Sequence, residues 1–330
     1  MSGTENINAR FCYNRPMIKG KKILVTGSGG FLGGYVVEKL KQRDPKKILT
    51  PSFKDHDLRV YEECLRATED VDIVIHLAAN VGGIGYQQKY PADIYYDNVT
   101  MGTQMMEAAR VNGVKKFLAL GSVCAYPKFT PIPFREENLW DGYPEETNAA
   151  YGVAKRMMLV QAQAYRAQYN FNAIYLLPVN FYGPRDHFEL DTSHVIPALI
   201  RRFSEAKKLD SPEVVVWGSG KPTREFLYIE DAAEGIVLAT EKYNKPDPIN
   251  LGSSSEISIA NLAELIRKLV GYKGRIVFDK SKPGGQPRRK ADTSRAKKEF
   301  GFESSTTFEE GLRKTIAWYE EELERKIKKP

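Results

Sequence analysis

Lys22-Ile23-Leu24-Val25-Thr26-Gly27-Ser28-Gly29-Gly30-Phe31-Leu32-Gly33 is the stretch that decides the fold. Its first five residues form a short apolar run of the strand type. Phe31, Leu32, Tyr35, Val36, Val37 and Leu40 then recur at helical spacing. Between strand and helix stand glycines at 27, 30 and 33. A tight turn needs the first, close backbone approach to a pyrophosphate needs the second, and packing of helix on strand needs the third. The helix N-terminus adds amide donors for the phosphates. Because a strand precedes and a helix follows, the glycines read as a dinucleotide cradle rather than a bare turn. Gly27, Ser28, Gly29, Gly30, Phe31, Leu32 and Gly33 are its expected residues.

The same alternation continues outward. Further strands are expected at 47–49, 72–77, 117–120 and 173–177, with helices near 58–68, 93–112 and 149–169. Parallel strands need crossover helices, so the pattern predicts an α/β protein with a Rossmann-type doubly wound parallel sheet. After Pro178 the rhythm changes. A helix at 194–206, a strand at 214–217 and helices near 230–243, 258–270 and 308–328 predict a smaller α/β substrate-binding lobe. The expected division is an N-terminal extension at 1–20, a nucleotide-binding domain at 21–181 plus about 225–254, and the lobe at about 182–224 plus 255–330.

Composition narrows the function. Apolar residues at 42% and charged residues at 28% suit a folded globular chain. The formal charge of +7 is spread out, and the only dense run, Arg325-Lys326-Ile327-Lys328-Lys329, reads as a solvated helix end. No basic face or reading motif points to nucleic acid, whereas an acidic small substrate suits the charge. Cys12, Cys64 and Cys124 are too scattered for a disulfide framework or a metal site, which points to a reducing compartment and a cytoplasmic protein. No run of about 18 apolar residues predicts a membrane span. The first 20 residues lack the apolar core of a secretory signal.

Two further segments speak to chemistry. After the second strand the chain reads Leu49-Thr50-Pro51-Ser52-Phe53-Lys54, without the acid that grips ribose hydroxyls in NAD sites. Ser52 and Lys54 would accept a 2′-phosphate, so NADP(H) is expected over NAD. Asp57 and Leu58 would hold the adenine, with Asp57 equally readable as a helix N-cap. Downstream, Tyr151-Gly152-Val153-Ala154-Lys155 puts a phenol and an ammonium on one helix face. A nearby cation lowers a phenol toward the working range of a proton relay. Ser122, just past the fourth strand, lies where ligands of such sheets bind and can hydrogen-bond a reacting oxygen.

With cradle, strand-end serine, tyrosine and lysine in this order, the chain resembles the extended short-chain dehydrogenase/reductase family from about residue 22 to about 318. The likeness is strongest to the branch that epimerises and reduces GDP-4-keto-6-deoxy-mannose to GDP-L-fucose. It is carried by His76-Leu77-Ala78-Ala79 with Val81-Gly82-Gly83-Ile84, by Gly121–Lys128, and by Asn180-Phe181-Tyr182-Gly183-Pro184. Ser193-His194-Val195-Ile196-Pro197-Ala198-Leu199 is the most discriminating string. The resemblance implies that Cys124 and His194 are the acid/base pair of epimerisation, while Ser122, Tyr151 and Lys155 serve reduction. It implies that Ala78, Ala79, Pro178, Val179, Asn180, Phe181 and His194 join the cofactor site, and that Arg202, Trp217 and Arg224 hold the nucleotide diphosphate. It also implies a homodimer. The chain departs from the family in Gly29, Val123 and Gly284, where arginine, serine and aspartate are frequent. The alternatives left by the residues are an epimerase that retains its NAD(P), acting on GDP-mannose or a UDP-hexose, and, from another class, a dinucleotide-sensing protein without catalysis.

Overall fold

The computed structural model of the chain describes residues 17–190, 192–281 and 286–328, with side chains as far as Arg325. Cys12, most of the N-terminal extension, the 282–285 stretch that contains Gly284, and the side chains from Lys326 onward lie outside the described residues.

The chain opens with β1 (Lys22–Thr26), α1 (Phe31–Lys41), β2 (Lys47–Leu49), α2 (Tyr61–Thr68) and β3 (Ile73–His76). It continues with α3 (Ile84–Lys89), α4 (Pro91–Val111), β4 (Lys116–Leu120), α5 (Ala149–Tyr169) and β5 (Ala173–Pro178). Next come β6 (Asn180–Tyr182), α6 (Val195–Lys208), β7 (Glu213–Trp217), β8 (Thr223–Tyr228), α7 (Ile229–Lys242) and β9 (Ile249–Leu251). β10 (Glu256–Ser258), α8 (Ile259–Val270), β11 (Arg275–Asp279), β12 (Arg288–Arg289), α9 (Ser294–Phe300) and α10 (Phe308–Lys328) close it.

Six parallel strands form the central sheet in the order β2-β1-β3-β4-β5-β9. This is the doubly wound α/β class that the alternation predicts. β3, β4 and β5 are buried along their whole length because helices cover both faces. The strand order reverses at β1, and the crevice beyond the carboxyl ends of β1 and β3 is where such sheets bind ligands. β9 joins through Leu176 opposite Ile249, and α7 packs on α1. β8 lies instead in a second sheet with β6, β10 and β12, while β7 pairs with β11.

One expectation is corrected. α2 begins at Tyr61 with Val60 in the cap position, so Asp57 does not cap it. The Asp57 carboxylate instead accepts the Arg59 backbone amide at 3.0 Å and its guanidinium at 2.8 Å. That local turn starts the helix three residues later than the apolar spacing suggests.

Lys116, at the start of β4, is 1% exposed. Its ammonium donates to Tyr243 O at 2.5 Å, Asn244 Oδ1 at 3.0 Å and Ala239 O at 3.4 Å, tying the end of α7 to the sheet. Burial, with Arg166 adding repulsion, pushes it down to about 7. Lys116→Met would leave these buried acceptors unsatisfied and should cost about 1–3 kcal/mol in urea denaturation at pH 7. Its folded pKa lies below the unfolded value, so the unfolded chain binds more protons between about pH 7 and pH 10. Lys116 therefore makes stability rise with pH across that window, and the methionine variant should lack this part of the rise.

Candidate active site

The cradle is built by close approach. Gly27 has φ +69°, and a Cβ on it would come 2.8 Å from Ala78 N. A Cβ on Gly33 would overlap the Gly27 carbonyl, which also accepts Gly30 N–H at 3.0 Å. Thr26 Oγ1 accepts Leu77 and Ala78 amides, both at 3.2 Å, and lies 2.9 Å from His76 Nδ1. These bonds lock the carboxyl ends of β1 and β3 side by side. Burial pushes His76 down to about 3, so it is a neutral structural residue. No side chain caps α1 and its first turn carries no acid, which suits a phosphate. Nothing lies within 4 Å of where a Cβ on Gly29 would be.

At the ribose end the sequence reading missed Asp55. This acid, one residue beyond the segment searched, is turned onto Ser52: its Oδ2 accepts Ser52 Oγ–H at 2.6 Å and the amide at 3.3 Å. Those bonds hold its carboxyl below the usual range. Lys54 is exposed, Phe53 carries the Arg59 guanidinium 5.4 Å from its ring centre, and Leu58 is buried in the core.

Past β4, Ser122 caps a 3₁₀ turn over Val123–Ala125, its Oγ accepting Cys124 N–H at 3.1 Å. α5 crosses this turn at Gly152, where any Cβ would overlap the Cys124 carbonyl oxygen. Arg156 reinforces the contact by donating to Ala125 O and, at 3.0 Å, to Gly142 O. Tyr151 is therefore brought to the Ser122–Cys124 turn, with Lys155 one helical turn further along α5. The Lys155 ammonium stands 5.6 Å from the centre of the Tyr151 ring. A cavity of about 330 Å³ opens beside Tyr151, lined also by Gln87, Pro91, Ile94, Thr147 and Asn148.

The proton states differ from the sequence expectation. Burial, followed by the neighbouring Cys124, pushes the Tyr151 phenol up rather than down. Burial also lowers Lys155 to about 8. Desolvation outweighs the lysine charge here, so the phenol rests protonated.

The substrate side comes from the second half of the chain. Gly83 N–H donates to Thr192 O at 3.0 Å, and a Cβ on Gly83 would come 2.8 Å from Ser193 O. The loop after β3 thus carries the segment leading into His194, which precedes α6. The His194 ring meets solvent, yet dense surrounding protein, with His187 nearby, holds it below its ordinary range. Arg202 donates to Val215 O at 2.9 Å and lies 5.5 Å from the ring centre of Trp217, which is 54% exposed. Arg224 lies on β8. It is 8% exposed, sits in register with Arg289 across β8 and β12, and is lowered to about 10 by burial and then by Arg289.

Arg289 itself escaped the sequence reading, although its Nη1 donates to Cys124 Sγ at 3.4 Å. Glu145 escaped too: its Oε2 accepts from Thr147 and, at 2.7 Å, from Asn148, and lies 4.0 Å from Arg289. Only the Arg288-Arg289 doublet could have drawn notice. Among the described residues no cluster of three or more His, Cys, Asp or Glu could hold a metal, and no helix is long and apolar enough to cross a membrane.

Known proteins share this architecture. The probable GDP-L-fucose synthase 1 of Oryza sativa subsp. japonica is 41% identical over 308 residues, 92% of this chain and 94% of that one. The GDP-L-fucose synthase of Sinorhizobium fredii is 42% identical over 301 residues, 91% and 95% of the two chains. The crystal structure of a GDP-L-fucose synthetase from Naegleria fowleri bound to NADP superposes with a TM-score of 0.83 at 31% identity, covering 93% of this chain and 96% of that one. Residues 23–252, which run from the cradle strand through β9, match the family model described as NAD dependent epimerase/dehydratase family. With the cradle, the strand-end serine and the Tyr-Lys helix all in place, the chain belongs to that family.

Proposed function

We propose that this protein converts GDP-4-keto-6-deoxy-D-mannose to GDP-L-fucose with NADPH, inverting C3 and C5 before reducing C4. The observation that carries this reading is the gathering of Ser122, Cys124, Tyr151 and Lys155 at one turn, with a thiol beside the reductive phenol.

The dinucleotide fits the residues present. The close approaches at Gly27 and Gly33 leave the α1 N-terminus open to a pyrophosphate. No carboxylate stands on residues 50–54, the nearest acid is turned onto Ser52, and Lys54 is free to meet a 2′-phosphate. When bound, NADPH supplies the hydride for C4. The chain's own groups do the rest. Ser122 and the protonated Tyr151 hold the C4 oxygen, and the phenol gives up its proton as the alkoxide forms. The same polarised oxygen acidifies the C3 and C5 hydrogens by taking the charge of the enolate. Cys124 and His194 then remove a proton from one face and return one to the other. Arg202, Trp217 and Arg224 bind the GDP moiety.

The division at 21–181 with about 225–254, against about 182–224 with 255–330, is supported by β9 joining the central sheet and α7 packing on α1, while β8 at the start of 225–254 pairs in the second sheet. A homodimer and a cytoplasmic setting complete the reading.

Three outcomes test it. Tyr151→Phe should lower NADPH-dependent reduction roughly 10²–10⁴-fold while GDP-sugar binding persists; near wild-type turnover would remove Tyr151 from the mechanism. Cys124→Ser and His194→Asn should each suppress deuterium incorporation from heavy water at C3 and C5, read by NMR, and wild-type exchange in both would leave a simple 4-ketoreductase. Lys54→Glu should cut kcat/KM for NADPH roughly three- to tenfold and spare NADH, the size of a partly exposed charge contact.

A further inference from the structure

We propose that Arg289 is the positioning residue for the Cys124 thiol, stabilising its anionic state during proton transfer at the sugar carbons. This rests on the reading of Cys124 as half of the epimerising pair.

Two described thiols provide the contrast. Cys64 is fully buried, its Sγ–H donates to Leu58 O at 3.2 Å, and burial pushes it up to about 12. Cys124 has the opposite polarity, because Arg289 carries no acceptor and the sulfur must accept its N–H at 3.4 Å. The guanidinium is held on three sides. Its Nε donates to Gln286 Oε1 at 2.9 Å, and Gln286 Nε2 donates to Lys128 O at 2.6 Å. Its Nη2 lies 4.0 Å from Glu145 Oε2, and the pairing of β12 with β8 fixes the backbone beneath it.

The charged and titratable groups around the sulfur come from several elements. Arg289 on β12 and Arg224 on β8 are cationic, Tyr151 on α5 is a neutral phenol, and Glu145 before α5 is the carboxylate that faces Arg289 among the described residues. Two guanidinium groups against one acid that is already bonded by Thr147 and Asn148 leave net positive charge at the thiol.

The chemistry balances in either direction. One C–H bond breaks on one face of the ring, its electron pair rests on the enolate oxygen, and a new C–H bond forms on the other face. One member of the Cys124–His194 pair gains the departing proton and the other supplies the arriving one. The sulfur is S–H on one side of that exchange and S⁻ on the other, and the guanidinium lowers the energy of the S⁻ side.

The test uses the full chain with Cys12→Ser, so that alkylation by iodoacetamide near neutrality reports Cys124 while buried Cys64 stays silent. Rates are measured from pH 6 to 10 together with deuterium exchange at C3 and C5. Arg289→Met should move the alkylation midpoint up by about one pH unit, slow alkylation roughly tenfold at pH 7, and cut exchange at least tenfold with KM for the GDP-sugar within about twofold. Arg289→Lys should restore most of both rates, and Arg289→Gln should match the methionine variant if that one folds poorly. An unmoved midpoint in the Met and Gln variants overturns the proposal. So does a raised KM with unchanged exchange turnover, which would assign the guanidinium to the diphosphate. Cys124→Ser separates the two layers: wild-type exchange in it removes the epimerising role of Cys124, while the alkylation midpoint still reports whether Arg289 governs the sulfur.

Discussion

Helix α5 rests directly on the backbone of Cys124, with only the hydrogen of Gly152 between them. The residues proposed for catalysis in the first half of the chain are brought together by that contact. Tyr151 precedes the glycine, so the phenol is brought to the Ser122–Cys124 turn, and Lys155 follows one helical turn later. Arg156 holds the same turn from below through Ala125 O and Gly142 O. A larger residue at 152 would lift the helix off the turn, and a displacement of about 1 Å is enough to cost a reaction two orders of magnitude.

That closeness also dries the site, and dryness sets the proton states. Burial raises the Tyr151 phenol and lowers the Lys155 and His76 cations, each toward its neutral form. A protonated phenol is the useful state for reduction, because the developing alkoxide needs a donor. The lysine one turn away then matters as a nearby charge that eases departure of the proton, rather than as the cause of a resting phenolate. Lys116 shows the same force away from chemistry, where burial is offset by three oxygen acceptors instead of a counter-ion.

Much of this was legible in the residues. The 149–169 helix, the cradle and the strand order class follow from periodicity and glycine spacing, which are local signals. Ser122, Tyr151 and Lys155 could be found because they ride on such elements at strand ends and on helix faces. Asp57 could be read as an adenine contact or as a helix cap, because a short acid serves either, and its carboxylate is turned onto Arg59 instead. Arg289 left no signal beyond the Arg288-Arg289 doublet, since β12 has two residues and no period, and it meets Cys124 across 165 positions of sequence. Asp55 escaped because it lies one residue beyond the segment that follows β2, and its bond to Ser52 depends on a turn that no pattern encodes.

What fixes that distant arginine is a set of buried polar groups behind it. Glu225, on β8 next to Arg224, accepts Ala291 N–H and Ser254 N–H, both at 2.7 Å. Asn250 accepts the Tyr126 hydroxyl at 2.7 Å and donates to Phe134 O at 2.9 Å and Asp292 O at 3.1 Å. Glu136 receives the Asn250 amide at 2.9 Å, and Phe134 and Lys290 are joined through the backbone at 2.7 Å. Burial raises both carboxyl groups and the amides that reach them oppose it, and Arg295 Nε also stands 3.7 Å from Glu136 Oε2. These bonds run from the loop after Ser122 to the strand that bears Arg289. The thiol and its guanidinium are thus joined through one network of buried hydrogen bonds, in which each polar group depends on its neighbours for its partner.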